Sequence, residues 1–167
     1  MTDRFLEVLP DLLREEGGWV NDPHDPGGET NLGITRAVYE AWTHQRGADM
    51  HHLTPDDVAP IYRVNYWRAS GCDLLPVGVD RIVFDTAVNM GVSRAVKYLQ
   101  RAAGVADDGH IGPMTQAAIV AADPGELING IAALREAKYR ALPTFPRFGR
   151  GWLARLARVK SKAKAEA

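Results

Sequence analysis

A glutamate at the end of an apolar helical stripe is the first residue in this chain whose type and setting suit chemistry. Between Thr2 and Glu16, Phe5, Val8, Leu9, Leu12 and Leu13 recur at helical spacing. At ~100° per residue, Glu16 falls within that stripe and Glu15 lies about 100° away. The spacing aims Glu16 at the apolar side and Glu15 at water. Burial disfavours the charged form of a carboxyl and raises its pKa. That is what a proton donor working near neutral pH requires. Gly17 and Gly18 follow directly and leave space beside the carboxyl. The structural alternative is a helix-end carboxylate paired with Arg14 or a later arginine.

Further candidates stand in the segment that follows. Asp22 and Asp25 are carboxylates able to act opposite a proton donor, although Asp-Pro and Asp-x-x-Gly sequences also use the carboxylate to cap a turn. Thr30 offers a hydroxyl that could position a water or contact a substrate; otherwise it is a strand hydroxyl facing solvent. Trp19, in a glycine-rich loop, is a candidate binding ring. Tyr39, Tyr66 and Trp67 are weaker candidates, because aromatics on helices usually belong to the core. The grouping Asp22, His24, Asp25 is not a zinc spacing, and the loop lacks the regular acidic ladder of a calcium site. His51 and His52 are adjacent and would diverge on a helix. No metal and no other cofactor is expected. Cys72 is the single cysteine and reads as inert packing. The chain shows no activated cysteine pair and no Ser-His arrangement, which disfavours peptidase or amidase chemistry.

The elements that must position these residues are mostly helical. The first helix, 2–16, has Thr2 as its expected cap, a kink or restart at Pro10 and its end at Gly17-Gly18. Residues 17–34 carry Gly17, Gly18, Gly27, Gly28 and Gly33 with Pro23 and Pro26 between them. That density predicts tight turns and a short β-hairpin. Thr35 should cap a helix to about Arg46, and Thr54-Pro55 should open another to about Arg68. Further helices are expected at 79–89, 93–103, 113–121, 125–142 and 153–164, with breaks around Asp107-Asp108-Gly109 and over 143–151. The fold class expected is mostly α: a two-lobed helical unit with a small glycine-rich hairpin. Its parts are a lobe at 1–79, a second lobe at 80–142 and a basic tail at 143–167.

The stretch Glu16-Gly17-Gly18-Trp19-Val20-Asn21-Asp22-Pro23-His24-Asp25-Pro26-Gly27-Gly28-Glu29-Thr30-Asn31-Leu32-Gly33-Ile34-Thr35 resembles the signature of glycoside hydrolase family 108, the phage endolysins and related bacterial muramidases. Trp19 takes the place of the usual tyrosine. The resemblance implies a lysozyme-like fold and Glu16 as the catalytic acid. It also matches the phage-lysozyme order of a glutamate, an aspartate and a threonine, here Glu16, Asp25 and Thr30. Asp85, Val88, Asn89 and Gly91, then Leu99-Gln100, Gly104, Asp108-Gly109, Ile111-Gly112-Pro113 and Thr115, resemble the family's C-terminal peptidoglycan-binding region. The similarity covers about residues 3–142.

That resemblance implies cleavage of the bond between N-acetylmuramic acid and N-acetylglucosamine. Glu16 would protonate the leaving oxygen, and Asp25 or Asp22 would act on the other face of the sugar. Trp19, Asp22, His24, Tyr66 and Asn89 are the substrate-binding candidates. Asn89 would bond an N-acetyl group or, alternatively, cap the next helix. The other class of reading is a non-catalytic wall-binding or secretion-helper protein on the same fold.

Of 167 residues, 46% are apolar and 25% charged, which suits an ordinary globular domain. The formal charge of −1 hides an asymmetry: residues 1–134 hold 10 Lys/Arg and 19 Asp/Glu, a net −9, and residues 135–167 hold 10 and 2, a net +8. In the tail, Trp152, Leu156 and Val159 make an apolar stripe flanked by Arg155, Arg158, Lys160, Lys162 and Lys164. It suits either an anionic membrane surface or an ordinary packed terminal helix. The expected partners are peptidoglycan glycan strands and an anionic membrane met by the tail, with no nucleic acid and the protein a monomer. The first residues lack a basic and then apolar leader. The expectation is synthesis in the cytoplasm, passage through a holin-type pore and action on the wall in the periplasm.

Overall fold

The computed structural model describes residues 3–21 and 28–167. Its contacts divide the chain into two compact units, Met1–Asn65 and Tyr66–Ala167. The division falls earlier than the 79/80 boundary expected from the sequence. The mostly α, lysozyme-like class holds: among the described residues, eight α-helices accompany a single two-stranded hairpin.

In the first unit, α1 spans Arg4–Glu16 and buries Phe5, Val8, Leu9, Leu12 and Leu13. Pro10 neither ends nor restarts it. Pro10 is exposed and Leu6, whose carbonyl loses its amide partner, is 53% exposed, so water can serve that carbonyl. Gly17, at φ +82°, closes the helix with its N–H on the Leu13 carbonyl. The hairpin pairs β1 (Thr30–Asn31) with β2 (Ile34–Thr35). Helix α2 (Arg36–Thr43) starts from the Thr35 hydroxyl, which accepts the Val38 N–H at 3.2 Å. It stops at His44, short of Arg46, where the backbone turns left-handed at φ 56°. Helix α3 (Pro55–Tyr62) opens with Asp57 accepting from both the N–H and the hydroxyl of Thr54. These two bonds hold the Asp57 carboxyl below the usual carboxylate range. The chain continues as one π-helical segment, Arg63–Arg68.

The second unit is built around α4 (Val79–Met90), in which every residue from Val79 to Ala87 is buried. Helices α5 (Val92–Ala102), α6 (Pro113–Ala121), α7 (Pro124–Arg140) and α8 (Phe145–Glu166) complete it. Each buried Leu, Ile or Val here is worth about 1.5–3 kcal/mol of transfer free energy. Residues 143–167 do not form a free tail, and the expected break at 143–151 is largely helical. Pro146 sits in the first turn, where a missing N–H costs nothing. Gly149 lies directly under the Phe145 ring, whose Cδ2 would stand 2.5 Å from any Cβ there. Leu156, Val159 and Ala163 are buried, and Trp152 stacks on Tyr139 with centroids 5.3 Å apart. The packed alternative thus describes the apolar stripe of this helix. No single helix among the described residues is long and apolar enough to cross a membrane.

Candidate active site

Glu16 is the last residue of α1, half-buried, and the hairpin turn is laid over its stem. The turn residues Leu32 and Gly33 have φ +50° and +76°. Two successive positive φ values define the tight turn whose twist suits a two-residue hairpin. A Cβ at Gly33 would stand 2.9 Å from both Cβ and Cγ of Glu16 and would also collide with the Tyr62 hydroxyl. Only glycine lets the turn approach the carboxylate stem this closely. Buried Tyr62 donates its hydroxyl to the Leu32 carbonyl at 2.8 Å, which holds the strained leucine in place. A Cβ at Gly17 or Gly18 would meet nothing within 4 Å, and both glycines line a groove of about 570 Å³ with Leu13, Leu32 and Pro55. The Arg14 guanidinium is engaged by Asp11. Glu15 is half-buried like Glu16, so the contrast expected between the two is not seen in their exposure.

Thr30 lies in β1, and its backbone exchanges two 2.8 Å hydrogen bonds with Val20. That bridge ties the two ends of the glycine-rich loop together. Asp22, His24 and Asp25 lie outside the described residues.

Trp19 is 41% exposed and firmly mounted. Its indole N–H donates to Glu29 at 2.7 Å, and its ring lies 4.4 Å from that of His51. Glu29 also pairs with Arg36, which reaches Glu40 and the Ala48 carbonyl. Glu40 accepts the Gly47 N–H at 2.8 Å. The Trp19 bond and then the Arg36 guanidinium hold Glu29 below the usual carboxylate range. Asp49 accepts the His51 N–H at 3.0 Å and bonds the His52 ring at 2.8 Å, opening the 3₁₀ turn Met50–His52. Trp19 is therefore an exposed ring held by Glu29 and His51 over a set of ion pairs and backbone hydrogen bonds. The sequence named Trp19 and weighed His51 only beside His52; it gave no role to Glu29, Arg36 or Tyr62, which no spacing links to Trp19 or Glu16.

Tyr39 is half-buried in α2 of the first unit, and the other candidates belong to the second unit. Trp67 is buried, edge-on to Phe84 and bonded to Asp73, and so serves the core. Tyr66 is half-buried in the π-helical segment. Asn89 is exposed and accepts the Tyr139 hydroxyl at 2.6 Å rather than capping α5, which begins after Gly91. Tyr139 in turn accepts from fully buried Arg135, which pairs with Asp85 at 2.8 Å; Arg155 holds the other oxygen of Asp85, also at 2.8 Å. Asp85, named from the sequence without a role, is therefore the anion that two arginines share. Buried Gln100 bonds Asp108, Gly109, His110 and Thr115, so one side chain clamps most of the second matched pattern. Among the described residues no group of three His, Cys, Asp or Glu could hold a metal ion.

The model of glycosyl hydrolase 108 matches residues 9–91, and that of a predicted peptidoglycan domain matches residues 94–157. The solved structure of Brucella abortus SagA is 42% identical to this chain, with a TM-score of 0.85, over 96% of this chain and 94% of that one. No curated protein matches.

Proposed function

The chain belongs to the glycosyl hydrolase 108 family and carries that family's peptidoglycan domain; from this premise we propose that it is a muramidase whose general acid is Glu16. Peptidoglycan is a glycan of N-acetylmuramic acid and N-acetylglucosamine, and its hydrolysis needs a proton delivered to the leaving oxygen. The observation that carries the reading is the seating of Glu16. It is half-buried at the end of α1, with its Cβ and Cγ lying beneath Gly33 of the hairpin turn. A stem fixed in this way holds the carboxyl at one position, which the transfer of a proton to a leaving oxygen requires. Trp19 would take the apolar face of a sugar ring, and Asp25 or Asp22 would stabilise the cation that forms at the sugar carbon.

Glu16→Gln tests this directly. The variant should keep its fold and its retention on purified wall while losing release of reducing sugars by about a hundredfold or more. Mass spectrometry of the wild-type products should find muramic acid at the new reducing ends. Glucosamine there would make the enzyme a glucosaminidase. A wild type that binds wall and releases no sugar would leave a binding protein.

A further inference from the structure

The second unit differs in charge from the first: Tyr66–Ala167 holds 15 Lys/Arg and 9 Asp/Glu, a net +6, and Met1–Asn65 holds 5 and 12, a net −7. Part of that excess converges on one pocket of about 470 Å³. Arg94, Lys97 and Arg101 lie at i, i+3 and i+7 on one face of α5, and Lys138 comes in from α7. Ser93 and Tyr98 complete the lining used here, with the first turn of α5 at one edge. A helix start adds partial positive charge of its own.

Gathering four cations costs free energy through mutual repulsion, and neighbouring carboxylates normally relieve it. Here the relief is incomplete. Asp107 pairs with Arg101 at 2.6 Å, and the Arg94 guanidinium reaches only the Met90 carbonyl, at 3.4 Å. Asp107 also feels the charge of Lys97, but among the described residues no carboxylate forms an ion pair with Arg94, Lys97 or Lys138. The Arg101–Asp107 pair shows that the rim of the pocket already accepts a carboxylate.

We propose that this pocket binds the carboxylates of peptidoglycan stem peptides and so anchors the enzyme on uncut wall. The proposal rests on the reading of peptidoglycan as the substrate. Its glycan of N-acetylated sugars is neutral where the lactyl groups are amide-linked to peptide. The stem carboxylates are then the anionic part of the polymer, and a cationic pocket recognises them by charge-assisted hydrogen bonds.

Binding is read in the Glu16→Gln background, by co-sedimentation with sacculi free of teichoic acid. Lys97→Glu/Lys138→Glu should weaken retention about tenfold or more, and Lys97→Met/Lys138→Met should weaken it less, in the same direction. Sacculi whose carboxyls have been coupled to methylamine through a carbodiimide should hold the parent protein no better than untreated sacculi hold the reversed variant. If the reversed variant fails to fold, the capped sacculi decide. Equal retention of parent and folded variants overturns the proposal. So does unchanged binding to capped sacculi, and so does binding seen only on a parallel preparation of sacculi that keep their teichoic acid. None of these readouts uses bond cleavage, so failure of the muramidase reading would appear separately, as a wild type that releases no sugar or leaves glucosamine at the new reducing ends.

Discussion

Replacing Gly33 by alanine should damage stability and catalysis together, through two separable terms. The first is backbone strain: at φ +76° an L side chain costs about 1–2 kcal/mol. The second is collision. The new methyl would stand 2.9 Å from Cβ and Cγ of Glu16, which are fixed to α1, and would press on the hydroxyl of buried Tyr62. Neither neighbour can swing away freely, and overpacking of this kind costs about 1–3 kcal/mol. The loss expected is therefore about 2–5 kcal/mol in the unfolding of the first unit. Gly47→Ala supplies the control, since Gly47 has φ +74° in the same unit and nothing within 4 Å of a Cβ; it should show the strain alone, about 1–2 kcal/mol. Urea midpoints give the stability terms, and reducing-sugar release gives the catalytic one. A shift of Glu16 on the order of 1 Å should lower the rate about a hundredfold. Tyr62→Phe added to Gly33→Ala removes the nearest obstructing atom and should recover part of the collision term. A Gly33→Ala protein as stable as Gly47→Ala and fully active would refute the claim that this turn positions the carboxylate.

Asp85→Asn leaves two arginines sharing no anion, one of them fully buried, and should cost about 3–5 kcal/mol in urea unfolding of the second unit. Glu29 is held below its ordinary value of 4.5 by Trp19 and Arg36, so its stabilising contribution is complete above that value. It should be lost as the pH falls through the lower folded value. Wild type and Glu29→Gln, compared between pH 7 and pH 3, should converge on acidification, and a widening gap would contradict the assignment. Deleting residues 151–167 removes Leu156, Val159, Ala163 and the Arg155 and Glu166 partners of Asp85 and Arg81. Lysis of outer-membrane-bearing cells and digestion of purified wall should therefore fall equally. A loss confined to whole cells would restore a membrane role for this helix.

The parts of the site written in local chemistry were legible in the sequence. The apolar stripe from Phe5 to Leu13, the Gly17 stop, the Thr35 cap and the Thr54-Pro55 opening each need only a few neighbouring residues, and each is found. What could not be read is what depends on distant contacts. Leu32 in a left-handed conformation contradicts its own preference and persists because Tyr62, thirty residues on, bonds its carbonyl. The base under Trp19 is assembled from Glu29, Arg36, Glu40 and His51, and no spacing announces it. Pro10 and the segment 143–151 misled because breaker residues were judged without their setting. One lost hydrogen bond at an exposed turn is tolerable, and a glycine beneath an aromatic ring packs as part of a helix.

The charge asymmetry changes meaning in the same way. Counted along the chain, the positive excess sits in the last 33 residues and suggests an arm free to reach an anionic surface. In the fold, Arg135 and Arg155 of that segment are spent on Asp85, while Lys138 turns toward Arg94, Lys97 and Arg101, which lie some forty residues earlier. The cations best placed to meet a ligand are therefore drawn from two helices and lie on a concave surface. A concave cationic site discriminates by the spacing of its ligand's charges, which a basic helix on a membrane does not. A stem peptide presents a few carboxylates on one short chain that can enter a pocket, and a lipid surface presents a diffuse sheet of charge. Retention that depends on Lys97 and Lys138, and weakly on the exposed lysines of α8, is the outcome this arrangement demands.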